Sequence, residues 1–396
     1  MRRVRGGLAV AALAVGVAAT GSTLGQEDEA SGASRAPIPI TTIVDLSGPA
    51  VGSSFKTSVN GATAAVQAVN AAGGINGRPL KLTVCDSKTD PNAGAQCARD
   101  AAKSNAAAVV GQLQLGGATA TLQREGIASV GSVPLNPEDF KAKTAFPFSA
   151  GNIGTRGLAS ILVNQAKAKR IGVAITAIPG ADLAANLIKT YMQTRGLSVA
   201  NVTSVPPGAA DLTPLVAAAA RGADAIAVVL SPADTLRFVQ TARQNGVKLP
   251  MSAYAMAAQE VQKIGSAAEG LYEAFPIRPL SAGGTGVKQF TAEMKKYQPK
   301  ANRDFFAVNG WLAVHMFADV AKKLKTVNKA SVLKAMSSSR NLDGYGFIPA
   351  MSPAVPFKGL GGNFPRLFNR SAFYVQWRSG KEKLLTPTAQ LVINGG

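Results

Sequence analysis

The residues able to do chemistry are few. The 396-residue chain has one histidine, His315, and two cysteines, Cys85 and Cys97. His315 lies inside the apolar run Trp311-Leu312-Ala313-Val314-His315-Met316-Phe317, which reads as a packed helix rather than a catalytic loop. No Gly-x-Ser-x-Gly elbow and no Gly-x-x-x-x-Gly-Lys-Ser/Thr loop accompanies it, so neither a nucleophilic triad nor a phosphate cradle can be assembled. Asp86 and Asp90 are close in sequence, but general acid–base work needs a second group placed across a cleft, and none is identifiable. The run Ala282-Gly283-Gly284-Thr285-Gly286 follows no strand and reads as the flexible approach to a helix. Two thiols without a nearby histidine cannot complete a tetrahedral metal site. The expectation is a protein that is not an enzyme, with no cofactor and no metal.

The cysteines gain meaning from the N-terminus. Arg2, Arg3 and Arg5 precede a continuous apolar stretch from Leu8 to Ala19, the pattern of a secretory signal. Residues 1–25 read as the signal and residues 26–36, with Glu27-Asp28-Glu29, as a flexible leader. An exported chain, periplasmic or at the cell surface, meets an oxidising compartment, where Cys85 and Cys97 are expected to pair as a disulfide. No cysteine lies before Cys85 to carry a lipoprotein anchor. After the signal, no run approaches the roughly 18 apolar residues of a membrane helix.

The formal net charge is +20 at pH 7, and losing the three signal arginines lowers it by only three. Such a field attracts anions. The basic residues are scattered, however, with short clusters only at Lys167-Ala168-Lys169-Arg170 and Lys322-Lys323-Leu324-Lys325. No aromatic-rich basic stripe accompanies them, so nucleic acid is not expected as a partner, and a monomer is.

From Ile38 onward, short β-rich runs alternate with amphipathic stretches, the rhythm of βα units around a parallel sheet. Ile40 to Asp45 reads as the first strand, and Phe55, Val59, Ala62, Val66 and Val69 recur at helical spacing after it. Strands at Leu80 to Cys85, Ala107 to Gly111 and Ile127 to Val133 complete one series. A second has strands at Ile171 to Ile175, Val199 to Val205, Ala223 to Leu230 and Leu249 to Ala253. After Pro276 come helices, near Gly286 to Tyr297, Asp304 to Leu324 and Lys329 to Ser337, and then a hairpin-like finish around Phe373 to Trp377 and Leu384-Leu385. The fold class is therefore α/β, with two doubly wound, Rossmann-like lobes.

The run Asn70-Ala71-Ala72-Gly73-Gly74-Ile75-Asn76-Gly77-Arg78-Pro79-Leu80 resembles the hallmark of type I periplasmic binding proteins, the leucine/isoleucine/valine-binding group that serves ABC transporters. Ser47-Gly48-Pro49, Asn60-Gly61-Ala62, Asp90-Pro91, Gly117-Ala118-Thr119, Asn136-Pro137, Pro207-Gly208-Ala209-Ala210-Asp211 and Ala267-Ala268-Glu269-Gly270 follow in the same order as in that family. The resemblance covers residues 37–380. It implies two lobes joined by three crossovers, with a small ligand trapped between them by hinge closure and delivered to a membrane permease. Lobe 1 would comprise 37–149 with 276–345, and lobe 2 would comprise 150–275 with 346–396. A sensor docking on a membrane receptor, or a branched-chain amino acid binder, is the alternative.

Open parallel sheets bind ligands beyond the carboxyl ends of their strands, which selects the loops after Asp45, Gly111, Val133, Ile175, Leu230 and Ala253. In amino-acid receptors of the family these loops hold the ligand's carboxylate and ammonium. Here Leu115 stands where the resemblance implies a serine, Leu135 where it implies a threonine, Pro179 where an aromatic residue is usual, and Tyr254 near the acidic residue. An unpaired buried charge is costly, so these residues point to an apolar or aromatic ligand. The expected contacts are Ser53, Gln112, Gln114, Leu115, Val133, Pro134, Leu135, Pro179, Ser231 and Tyr254, with Ser53, Gln112, Gln114 and Ser231 supplying neutral hydrogen bonds.

Overall fold

The computed structural model describes residues 36–48, 55–178 and 181–393, apart from the side chain of Asn152. The signal, the leader up to residue 35, Pro49, Ser53 and Pro179 lie outside the described residues.

Five strands make the first sheet: β1 (Ile38–Val44), β2 (Leu80–Asp86), β3 (Val109–Val110), β4 (Ser129–Val130) and β5 (Ala145–Phe146). All pair in parallel, in the order β2-β1-β3-β4-β5. The helices α1 (Lys56–Ala71), α2 (Pro91–Lys103) and α3 (Ala118–Glu125) connect them. The second lobe opens with α4 (Arg156–Ala166). It continues through β6 (Arg170–Thr176), α5 (Asp182–Gln193), β7 (Ser198–Val205), α6 (Thr213–Ala220), β8 (Ala225–Val229), α7 (Pro232–Gln244), β9 (Met251–Tyr254), α8 (Ala258–Gln262) and β10 (Tyr272–Phe275). Its parallel strands run β7-β6-β8-β9-β10, the same winding as the first sheet. The helices α9 (Thr285–Tyr297), α10 (Phe305–Ala321) and α11 (Lys329–Ser338) follow. The chain ends on β11 (Ser371–Arg378), β12 (Lys381–Leu384) and β13 (Gln390–Leu391), which add to the second sheet antiparallel through β11.

The sequence pattern accounts for these elements. β1 is buried on both faces because helices cover both sides of a parallel sheet. α10 is buried nearly all round from Ala307 to Ala321, as expected of a helix with no polar face. It reaches α1 closely because two glycines meet there. A Cβ on Gly61 would lie 1.9 Å from the Ala307 carbonyl oxygen, and one on Gly310 2.0 Å from that of Ser58. In the hallmark run, Asn70 bonds both ways with the Leu80 backbone, at 2.9 and 2.7 Å, and so sets the end of α1 against the start of β2. Gly74 turns with φ +72°, and a Cβ there would meet the Arg78 carbonyl oxygen at 2.2 Å.

Two strands escape the sequence pattern. β5 is two residues long and lies beside Pro147, and β10 is interrupted by the buried acid Glu273, so neither presents an apolar run. Both are the last parallel strand of their sheet, and the chain leaves each lobe from that strand. The helix expected at Asp304 to Leu324 is shorter at both ends, with Asp304 as its N-cap accepting from Ala307 N at 2.9 Å.

α9, α10 and α11 share one core with the first sheet, and that core takes in Phe347, Ile348 and Met351, beyond residue 345. The second lobe carries its core on the two faces of its sheet. The segment between α11 and β11 is laced to β5 and the turn before it: Arg366 N donates to Phe140 O at 3.0 Å and Arg366 Nε to Ala145 O at 2.8 Å. The guanidinium lies over the rings of Phe146 and Phe368, at 4.5 and 4.7 Å. Burial without an acidic partner pushes Arg366 down to about 10.

Cys85 and Cys97 are bonded, joining β2 to α2. No described helix is long and apolar enough to cross a membrane.

Candidate functional site

In each sheet the strand order reverses beside the first strand, between β1 and β3 in one lobe and between β6 and β8 in the other. The loops leaving the carboxyl ends there form the candidate site.

In lobe 1, acidic residues build these loops. The carboxylate of Asp45, wholly buried at the end of β1, accepts from Ser87 Oγ at 2.7 Å, Thr89 N at 2.9 Å and Leu115 N at 2.8 Å. Asp86 accepts from Ser47 Oγ at 2.6 Å, Leu46 N at 2.9 Å and Lys88 N at 2.9 Å. Slight burial would raise its pKa, but these hydrogen bonds outweigh burial and hold the carboxyl below its ordinary range. Asp90 caps α2 through Asn92 N at 2.6 Å and Ala93 N at 3.2 Å. The two acids considered for proton transfer are thus occupied with backbone amides.

The expected glutamine handles are occupied as well. Gln112 is buried, accepting from Ser129 Oγ at 2.7 Å and donating to Thr119 Oγ1 at 3.1 Å. Thr119 in turn donates to Asp139 at 2.5 Å, and Asp139 accepts from Leu135 N and Asn136 N, each at 3.0 Å. Burial pushes the Asp139 carboxyl up despite those bonds. This chain holds the loop after β4, where Val133 and Pro134 are buried and Leu135 is half-buried. Gln114 folds back to accept from Gly116 N at 2.7 Å. Gln112 shapes the loops from within through both ends of its amide, and Gln114 does so through its side-chain oxygen.

An apolar wall remains. Val44, Leu113 and Val133 pack with Leu46, Phe55, Val59, Leu135, Phe305 and Phe306 at the carboxyl edge of the sheet. Phe306 meets Phe55 edge to face at 5.2 Å and Phe305 at 5.0 Å. Leu115, 39% exposed, stands at the rim.

In lobe 2, Ser231 caps α7. It accepts from Asp234 N at 3.2 Å and donates to Asp234 Oδ2 at 3.0 Å, again turned inward. Tyr254 donates its hydroxyl to Gly151 O at 2.6 Å and fills the space that Gly154 leaves open. Burial pushes its phenol up. The loop after β9 hangs on a buried acid: Met256 N donates to Glu273 Oε1 at 3.0 Å, and Trp377 Nε1 to Glu273 Oε2 at 2.5 Å. Burial drives Glu273 up to about 8, against the lowering effect of the Trp377 bond. Ile178 and Leu183 are exposed beside the loop after β6.

A crevice lies between the lobes, bounded by Met256, Ala257 and Ala258 on one side, Arg303, Asp304, Phe305 and Val308 on the other, and Arg278 and Glu382 at its margin. Sequence reasoning missed its lobe 1 wall, because residues 303–306 are nearly 190 positions from the loop after β3. The available signal was the capping aspartate followed by Phe305-Phe306.

His315 lies in the core of lobe 1. Its Nε2 is 2.8 Å from Glu293 Oε2, which also accepts from Trp311 Nε1 at 2.7 Å, and its ring packs on Trp311 at 4.3 Å. Burial would raise Glu293, but the bond from His315 and its charge, with the bonds from Gln289 and Trp311, bring it below its ordinary value. Among the described residues no group of three or more His, Cys, Asp or Glu side chains is placed to hold a metal ion.

Comparison with known proteins places the fold. The sequence profile described as periplasmic binding protein matches residues 37–358. No curated protein sequence matches the chain. Among solved structures, the fatty acid ABC transporter substrate-binding protein from Thermomonospora curvata superposes with a TM-score of 0.76 at 18% identity, covering 91% of this chain and 94% of that one. The branched-chain amino acid transporter substrate-binding protein LivJ from Streptococcus pneumoniae, solved with isoleucine, gives 0.71 at 20% identity over 90% of this chain and 99% of that one. A substrate-binding periplasmic protein from Ralstonia solanacearum gives 0.71 at 20% identity over 86% and 97%.

Proposed function

The chain belongs to the periplasmic binding protein family, and from that premise we propose that it is an exported receptor that takes a small, largely apolar molecule between its lobes and presents it to an ABC-type permease. Its action is capture and release, with no bond made or broken. The apolar wall carries the reading. Val44, Leu113, Val133, Leu135, Phe55, Phe305 and Phe306 converge where the strands end, while Gln112, Asp45 and the side-chain oxygen of Gln114 beside them bond within the protein.

An amino acid brings two charges that must each find a partner on burial. Asp45 is wholly buried and already accepts from Ser87, Thr89 and Leu115, and Tyr254, near the position of the family's acidic residue, is bonded to Gly151. Neither offers an ammonium a partner. The description of the Thermomonospora relative as a fatty acid carrier is in keeping with an apolar cargo, and the same fold also holds isoleucine in the Streptococcus relative. Ligand choice therefore rests on the residues of this chain. Its apolar export-like N-terminus and its disulfide support action outside the cytoplasm.

Titration calorimetry with leucine, isoleucine and valine beside aliphatic and aromatic acids and amides tests the reading. Binding of an apolar compound with no response to the three amino acids is expected. Tight binding of any of the three overturns it.

A further inference from the structure

We propose that the crevice between the start of α10 and the loop after β9 receives the anionic head of the ligand, with Arg303 as its counter-ion, so that the cargo is an apolar monocarboxylate. The inference rests on the apolar-cargo reading above and adds a charge to it.

Arg303 is half-buried at the crevice, yet among the described residues no hydrogen bond or ion pair engages it. Its neighbour in the crevice, Arg278, is held by carbonyl oxygens alone: Gly283 at 3.0 Å, Ala282 at 3.3 Å and Pro387 at 3.3 Å. Two guanidinium groups therefore face one crevice without a paired carboxylate.

The two acids present do not answer them. Asp304 turns away, accepting from Thr57 Oγ1 at 2.8 Å and Ala307 N at 2.9 Å, and burial pushes it up to about 6. Glu382 is bonded by Ser281 and is also pushed up by burial. The positive end of the 17-residue helix α10 opens at the same place.

Phe305 connects this crevice to the apolar wall. It lines the crevice beside Arg303 and packs on Phe306, which meets Phe55. A carboxylate on the guanidinium fork of Arg303 would therefore continue into a tail lying along these rings.

Calorimetry on the purified protein with octanoate and phenylacetate, each beside its own primary amide, tests the proposal. The acid is expected to bind about tenfold or more tighter than the amide. Arg303→Gln is expected to bring that ratio to about one while leaving the amide's affinity as it was, and Arg303→Lys to restore part of the preference. Arg303 holds no other residue in place, so matching melting curves establish that the variants are folded. Equal affinity for acid and amide in the unsubstituted protein overturns the proposal and leaves the apolar-cargo reading standing. So does an acid preference that survives Arg303→Gln. If neither acids nor amides bind, both fall.

Discussion

The side-chain amide of Asn369 donates to the carbonyl oxygen of Phe148 at 2.9 Å, from one crossover to another. The same nitrogen donates to Pro276 O at 3.1 Å, on the remaining crossover, and Asn369 Oδ1 accepts from Ser371 N at 3.1 Å. One buried side chain thus ties all three connections between the lobes. Asn369→Ala should lower stability by about 1–3 kcal/mol, the cost of buried partners left without hydrogen bonds. Asn369→Asp should cost more, because it turns a carboxylate toward two carbonyl oxygens. Urea denaturation of the two variants measures both. Asn369-Arg370-Ser371 matches a glycosylation pattern, but Asn369 is 2% exposed and fully engaged, so mass spectrometry after expression in a glycosylating host should find it unmodified.

Asp45 draws three loops together through Ser87, Thr89 and Leu115. Asp45→Ala should destabilise the protein by about 3 kcal/mol, since hydrogen bonds to a charged group are the stronger kind. It should also weaken the binding of whatever apolar ligand is identified, because the loop carrying Leu115 loses its anchor. Asp45→Asn, which keeps the shape, should fall between. Thermal melting with and without ligand separates the two effects.

Glu273 gives a pH signature. Its folded value of about 8 lies above the ordinary 4.5, so the folded state binds the proton more tightly than the unfolded chain. Its contribution to stability is whole below 4.5 and is lost as pH rises through about 8. Glu273→Gln cannot ionise, and the stability of the variant relative to the unsubstituted protein should therefore rise between pH 5 and pH 9. Melting temperatures across that range test this; a constant difference would show that Glu273 stays charged.

The Cys85–Cys97 bond closes a short loop between β2 and α2. Replacing both residues with alanine should cost about 3 kcal/mol, the loop-entropy value for such a span. A strong reductant should lower the melting temperature of the unsubstituted protein in the same direction and leave the variant unmoved.

Much of the fold was legible because local rules and tertiary demands agree. The βα rhythm, the glycines of Gly73 to Gly77 and the caps at Asp90 and Ser231 each state a backbone requirement within a few residues. β5 and β10 were illegible because a two-residue strand and a strand carrying a buried acid have no pattern of their own; neighbouring strands impose them.

The candidate site divides in the same way. Sequence position alone brought Val133 and Leu135 to the carboxyl edge of the sheet, since the carboxyl end of a strand follows from chain order. Where a side chain spends its hydrogen bonds depends on groups far along the chain. Gln112 meets Ser129 and Thr119, Gln114 meets Gly116, and Tyr254 reaches back to Gly151. Arg303, Phe305 and Phe306 arrive at the start of α10, a helix whose close approach to α1 is allowed by Gly61 and Gly310. The sequence by itself determined the family, the two-lobed α/β fold and the disulfide partners, and it pointed to the carboxyl edge of the strands as the place for a ligand. Only the tertiary structure decided which polar groups are already satisfied and that Arg303 meets no partner among the described residues, because satisfaction is a property of contacts between distant segments and not of residue type.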